Sequence, residues 1–163
     1  MEGSEYIVHP KYDDHNLYND IAVLVLPSPL VFSASVSAIC VPTKPLSIEG
    51  STGVVSGWGY PKEDIKRTTT HMMYVTQKVQ PESFCEAALR GQPYHPSTMF
   101  CAYKHTYDAC QGDSGGGFWV PVGSRWVLVG IVSYGIGCGV PHQPGIYTDL
   151  ASYLPWIRNM VKL

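Results

Sequence analysis

The sequence has 163 residues, of which 45% are apolar, and this is enough to build the core of one ordinary domain. The formal net charge is only −2 and the Lys and Arg residues are scattered, which argues against nucleic acid or an anionic membrane as a partner. No apolar run approaches the ~18 residues of a membrane-spanning helix, and the N-terminus contains no hydrophobic signal segment.

Short apolar runs between turn residues predict a mainly β structure. The segments between the runs are rich in Gly, Pro, Asp and Ser, and this favours a sandwich or barrel over alternating βαβ units. In chain order, the predicted strands are residues 21–26, 51–57, 72–79 and 125–135.

Only the end of the chain has a clear helical pattern. Leu154, Ile157 and Val161 follow one another at helical spacing, with Ser152 as the expected cap and Pro155 in the first turn. We therefore predict one C-terminal helix over residues 151–163.

The cysteines indicate the compartment. Five in a small β-rich chain favour disulfides and an oxidising, extracellular location, and the alternative is a cytosolic chain with five buried thiols. No pair has the spacing of a zinc site, and we expect neither a metal nor a cofactor. An extracellular protein without a signal segment suggests a truncated chain.

The stretch DACQGDSGGGF, residues 108–118, carries the strongest chemical signal. A serine attacks a carbonyl when a base accepts its proton and donors stabilise the resulting oxyanion, and flanking glycines let backbone N–H groups turn inward. Ser114 is the predicted nucleophile, with the N–H groups of Gly112 and Ser114 as oxyanion donors. Alone, the motif could also be a surface turn. An α/β-hydrolase elbow does not fit, because His142 precedes Asp149 after the serine.

Further motifs occur in a fixed order along the chain: NDIAVLVL, VVSGWG, MFCAY, DACQGDSGG, GIVSYGIGCG, PGIYTDL and WIRNMV. In this order they resemble the chymotrypsin-fold serine proteases. The resemblance implies an all-β double barrel in which residues 1–35 are a remnant of the first barrel and residues 36–47 link the barrels. Residues 48–150 then form a complete second barrel.

The resemblance also implies roles for individual residues. Asp20 matches the triad acid that orients the base, and Ser133 matches the serine that supports this acid at the start of the substrate-binding strand. Asp108 matches the floor of the primary specificity pocket, where a buried carboxylate needs a cation. The pocket walls match Gly135 and Gly145, so cleavage after Arg or Lys is implied. Tyr134 replaces the more usual tryptophan beside that strand.

The family's disulfide pattern implies the pairs Cys85–Cys101 and Cys110–Cys138. Cys40 is then unpaired within the chain, and in many relatives its counterpart bonds a separate N-terminal chain. The sparse cysteine pattern, the glycine after GDSGG and the segments ESFCEAALRG and YLPWI are most similar to the complement initiating and mannan-binding lectin-associated serine proteases.

Two parts of the family's machinery are not recognisable. Only nineteen residues precede Asp20, and they contain neither the histidine loop nor the activation segment. His15 is nearest in sequence but is not expected to reach both Asp20 and Ser114, and the other histidines are expected in exposed loops. Asp113, whose counterpart pairs with the N-terminal amine of activated relatives, then has no amine.

We therefore expect a secreted endopeptidase that acts by limited proteolysis of extracellular proteins through an acyl-enzyme, with this chain alone inactive. The alternative is a non-catalytic protease homologue that binds proteins.

Overall fold

The computed structural model describes residues 5–106 and 108–161, and within these ranges eight strands form two sheets. The strands are β1 (Glu5–Val8), β2 (Ala22–Val25), β3 (Thr52–Gly57), β4 (Met73–Val79), β5 (Met99–Tyr103), β6 (Gly117–Val122), β7 (Arg125–Tyr134) and β8 (Gly145–Asp149).

Six strands form a closed antiparallel barrel in the order β3-β4-β5-β8-β7-β6. Its core contains Phe100, Phe118 and Tyr147, whose ring centroids lie 4.8 to 5.3 Å apart. Rings at this separation add edge and stacking contacts to their apolar burial. The barrel and the C-terminal helix confirm the predicted all-β, chymotrypsin-like fold class.

The remaining two strands, β1 and β2, pair with each other antiparallel. The side chain of Ile21, just before β2, is buried against Leu150 and Tyr153 and so joins this small sheet to the end of the barrel. Much of the segment that follows is exposed, and Val31 and Phe32 keep 86% and 66% of their surface accessible. This part of the chain therefore contributes an apolar surface and not a second core.

The helices differ from the prediction in two respects. An additional helix, α1 (Glu82–Ala88), follows β4 and contacts β5. At the C-terminus a 3-10 turn (Leu150–Tyr153) precedes α2 (Leu154–Val161), and the cap is the Asp149 side chain, which accepts from the Ala151 N–H. The prediction of Ser152 as cap was wrong because the chain turns earlier. None of the helices in the described ranges is long and apolar enough to cross a membrane.

Two disulfides fasten the barrel, Cys85–Cys101 between α1 and β5 and Cys110–Cys138 between the loops around Ser114 and after β7. They are the pairs that the family resemblance implies. Cys40 forms no disulfide and is half-buried. Its backbone carbonyl accepts a hydrogen bond from the Leu128 N–H at 2.9 Å.

Candidate active site

The loop between β5 and β6 carries Ser114 at an exposed position. Gly112 and Gly115, on either side, have φ angles of 93° and 82°, a region that glycine adopts without strain. The Asp113 N–H donates to the Cys110 carbonyl, and the Gly116 N–H donates to the Asp113 carbonyl. These bonds hold the loop as a tight double turn with Ser114 at its apex.

Two backbone donors of this loop remain available. Across residues 5–106 and 108–161, the N–H groups of Gly112 and Ser114 donate to no protein oxygen. Donors that face solvent and not the protein can stabilise negative charge on a bound group.

Asp20 is positioned by residues far along the chain. Ser133 Oγ donates to Asp20 Oδ2 at 2.7 Å, and Thr148 Oγ1 donates to the Asp20 carbonyl at 2.8 Å. Ser133 is an extra residue in β7, because the register with β8 shifts between Val132 and Tyr134. Such a bulge re-aims the side chain of its extra residue, and here that side chain meets the carboxylate.

Asp20 and Ser114 both line one open cavity of about 460 Å³. The other lining residues come from β1, β2 and β7 and from the loops at Tyr12, Ile21 and Gly115, and no histidine of the described chain is among them. Within residues 5–106 and 108–161, the structure therefore brings Asp20 and Ser114 to a common space without an imidazole between them.

The two nearest histidines in sequence have other contacts. His9 is half-buried against Tyr153 and Trp156 at centroid distances of 5.4 and 4.9 Å, and burial lowers its pKa. Its prediction as an exposed loop residue was wrong, because α2 packs over the end of β1. The backbone N–H of His15 donates to Asp13, and its side chain is exposed.

Asp108 lies in a cleft of about 120 Å³ that Ser114 also lines. Its Oδ1 accepts from the Ala109 N–H at 2.9 Å and from Gln77 Nε2 at 3.3 Å, and its Oδ2 accepts from the Gly139 N–H at 3.3 Å. Burial raises the pKa of Asp108 to about 6, and the nearby Asp113 acts in the same direction. A cation that enters the cleft would favour the ionised carboxylate.

The walls of this cleft include Gly135, Gly145 and Tyr134. A Cβ added at Gly145 would lie 3.0 Å from Asp108 Oδ1, and one added at Gly135 would point toward the Gly145 Cα at 3.8 Å. Any side chain at these positions would therefore narrow the space above the carboxylate. The Tyr134 hydroxyl donates to the Pro93 carbonyl, which fixes the ring as an outer wall.

Asp113 points away from the cleft, into the end of β3. Its Oδ1 accepts from the Gly59 N–H at 2.8 Å and its Oδ2 from the Cys110 N–H at 3.0 Å. A Cβ at Gly57 would approach Asp113 Oδ1 to 2.0 Å. The carboxylate thus occupies space that exists only because glycine stands at this position.

Sequence reasoning missed two residues that contact the site, Gln77 and Thr148. Both side chains are almost fully buried, with 1% of their surface exposed. The alternation of Val75, Gln77 and Val79 along β4 contained the signal for the first, since it puts an amide on the core face of a strand. Nothing in the sequence pattern distinguishes Thr148 from an ordinary strand threonine.

Comparisons with known proteins cover nearly the whole chain. A family model described as Trypsin matches residues 1–157. Vitamin K-dependent protein C of Rattus norvegicus is 36% identical over 171 residues, which cover 99% of this chain and 37% of that protein. Trypsin alpha of Drosophila melanogaster is 38% identical over 156 residues, 94% of this chain and 59% of that protein.

A third relative carries a different description. The Inactive CLIP domain-containing serine protease A3 of Aedes aegypti is 37% identical over 171 residues, 98% of this chain and 35% of that protein. The chain spans less than two thirds of the length of each of these three curated relatives.

Proposed function

Because the chain belongs to the trypsin family of serine proteases, we propose that it carries the nucleophile, the acid and the specificity pocket of an endopeptidase that cleaves after Arg or Lys. The observation that supports this most directly is the single cleft that Ser114 and Asp108 both line. A substrate cation at Asp108 would hold the next peptide bond close to the serine, which is the positioning that catalysis needs.

In the proposed reaction, Ser114 Oγ bonds to the scissile carbonyl carbon while its proton passes to a base. The oxyanion is bound by the N–H groups of Gly112 and Ser114. The base then gives the proton to the leaving amine as the C–N bond breaks, and water releases the acyl group by the same route. Asp20, held by Ser133, would orient and stabilise the base.

The base itself is proposed to be a histidine outside these 163 residues. The cavity between Asp20 and Ser114 has room for an imidazole, and neither His9 nor His15 has contacts that direct it there. We further propose that Asp113 is linked to activation, since an N-terminal amine that pairs with it would replace the bonds to Gly59 and Cys110. Alone, the chain would then be inactive.

Two measurements on the chain test this proposal. Benzamidine, an aromatic amidinium, should bind the wild-type chain and lose at least tenfold in affinity in Asp108→Asn, because the buried charge provides most of the attraction. Asp14→Asn, at an exposed position that lines none of the cavities around Asp108, is the matched control. Equal binding to the wild type and Asp108→Asn would contradict the basic specificity.

Catalysis is tested with an arginyl ester. The chain should hydrolyse it no faster than Ser114→Ala, and imidazole at high concentration should restore a rate that requires both Ser114 and Asp20. Ser114-dependent hydrolysis without imidazole would show that the base lies within the chain.

The wider context remains part of the proposal. Two disulfides suit an extracellular protein whose substrates are other extracellular proteins. Cys40 is a candidate for a disulfide to a separate N-terminal chain. The narrower similarity to complement initiating and mannan-binding lectin-associated proteases rests on the sequence segments alone.

A non-catalytic binding protein is the second candidate. It is favoured by the relative described as an inactive protease and by the cavity without a histidine. The complete transcript separates the two, because a histidine loop supports the enzyme and a replaced histidine supports the binder.

A further inference from the structure

A buried amide behind the specificity pocket has no role in the reaction described above. Gln77 lies on β4 between Val75 and Val79, in the part of the barrel that packs its apolar core, and only 1% of its surface is exposed. Burying an amide in such surroundings costs free energy unless it forms hydrogen bonds. A valine or leucine would pack there without this cost, so the polar group calls for an explanation.

The amide is directed at Asp108. Gln77 Nε2 donates to Asp108 Oδ1 at 3.3 Å, across 31 positions of sequence. Oδ1 also accepts from the Ala109 N–H, whereas Oδ2 accepts, among the residues that the structure describes, from the Gly139 N–H alone. An ionised carboxylate offers about two acceptor sites on each oxygen. Donors in the described part of the chain thus use both acceptor sites on Oδ1 and leave one acceptor site on Oδ2.

We propose that Gln77 is a positioning residue for substrate specificity: its buried amide fixes the Asp108 carboxylate so that the cleft presents one free acceptor and a negative charge to a guanidinium or ammonium. This inference rests on the proposed role of Asp108 in binding substrate. It adds a residue that touches no substrate and acts through the carboxylate.

The electrostatic setting gives this amide a measurable effect. Burial raises the pKa of Asp108 to about 6, and the Ala109 and Gly139 N–H groups oppose this. We expect the third donor, Gln77 Nε2, to act in the same direction as these two, because hydrogen bonds to a carboxylate favour its charged form. The titratable groups that line the cavities around Asp108 are Tyr60, Lys62, Glu63, Asp64, Tyr74, Asp113, Tyr134 and Tyr147.

The test is the pH profile of benzamidine binding to the full 163-residue chain between pH 5 and 8.5. In the wild type, affinity should fall as the pH drops through about 6. In Gln77→Met, which keeps the length of the side chain but removes the donor, the midpoint should move up by roughly one pH unit. The loss of benzamidine affinity in Gln77→Met relative to the wild type is then about threefold larger at pH 6.5 than at pH 8.5.

Two controls separate positioning from a general effect on packing. Gln80→Met removes an amide that donates to Lys78 and Tyr103 carbonyls, and it should leave the midpoint unchanged. In an Asp108→Asn background, Gln77→Met should have no further effect on binding. Circular dichroism and urea unfolding establish that each variant is folded, and Gln77→Leu replaces Gln77→Met if the latter does not fold.

The outcomes are distinct. If the wild type binds benzamidine no better than Asp108→Asn, the proposed function fails. If binding requires Asp108 but the profile of the folded Gln77 variant coincides with that of the wild type, the role of Gln77 is refuted. A midpoint that moves equally in Gln80→Met also refutes it.

Discussion

The ionised Asp108 should make the chain without ligand less stable at neutral pH, and replacing it tests this directly. The pKa of Asp108 is about 6 in the folded chain, against an ordinary value of 3.8. The folded chain therefore holds the proton more tightly than the unfolded chain. The contribution of Asp108 to the free energy of unfolding falls as pH rises from about 4 to about 6. Above that range this contribution changes no further, because Asp108 is then ionised in both the folded and the unfolded chain.

The size of this destabilisation follows from the difference between the folded and unfolded pKa values of Asp108. Ionisation of Asp108 lowers the free energy of unfolding by about 3 kcal/mol at pH 7.5. Asp108→Asn removes the charge but places an amide N–H₂ opposite the Gly139 N–H, and one lost hydrogen bond costs about 1 kcal/mol. The variant should therefore be about 2 kcal/mol more stable than the wild type at pH 7.5.

The assay is urea unfolding of both chains at pH 4 and pH 7.5. At pH 4 the carboxyl is protonated in the folded wild type, so the advantage of Asp108→Asn should vanish or reverse. Benzamidine should raise the stability of the wild type at pH 7.5 and leave the variant unchanged. A difference between the two chains that is the same at both pH values would refute the reasoning, since packing and not charge would then be its source.

Three further changes probe other parts of the site. Gly57→Ala should lower stability by about 3 kcal/mol in urea unfolding, because its methyl would overlap the Asp113 carboxylate and break the bonds that this side chain accepts. Ser133→Ala should cost about 2 kcal/mol in the same assay, because it removes the hydroxyl that donates to Asp20. Alkylation of the unfolded, unreduced chain should modify Cys40 alone, which peptide mass mapping detects.

Matched changes serve as controls for the two substitutions. Gly135→Ala introduces the same methyl at ordinary contact distances and should affect stability little. Ser83→Ala, on the exposed side of α1, should stay within about 0.5 kcal/mol of the wild type. Equal losses within either pair would contradict the assigned contacts, and modification of a second cysteine would contradict the disulfide pairs.

The sequence predicted the strands that carry long apolar runs, and β2, β3, β4 and β7 formed close to the expected limits. It did not predict α1, which is two turns long, buries only Cys85 and begins at Glu82, after Pro81, without a side-chain cap. Such a helix forms because a disulfide and β5 hold it, and neither acts through local pattern.

In the candidate site, too, some features could be predicted from the sequence and others could not. Ser114 and Gly112 lie within one short glycine-rich motif, so local sequence was enough to propose them, whereas Asp108 was assigned from the resemblance to the family. The hydrogen bonds that position Asp20 could not be derived from the sequence pattern. The bulge at Ser133 and the position of the Thr148 hydroxyl depend on how β7 and β8 align in the closed barrel.

The hydrogen bonds that orient Asp20 cannot form until late in the synthesis of the chain. Its partners Ser133 and Thr148 follow it by 113 and 128 positions. Contacts between residues so far apart form late in folding, because a large chain loop must close before they are made. A nascent chain that has exposed Asp20, and even Ser114, still lacks the strand that orients the acid. Because Ser133 and Thr148 are synthesised late, Asp20 cannot act together with Ser114 until the barrel is almost complete.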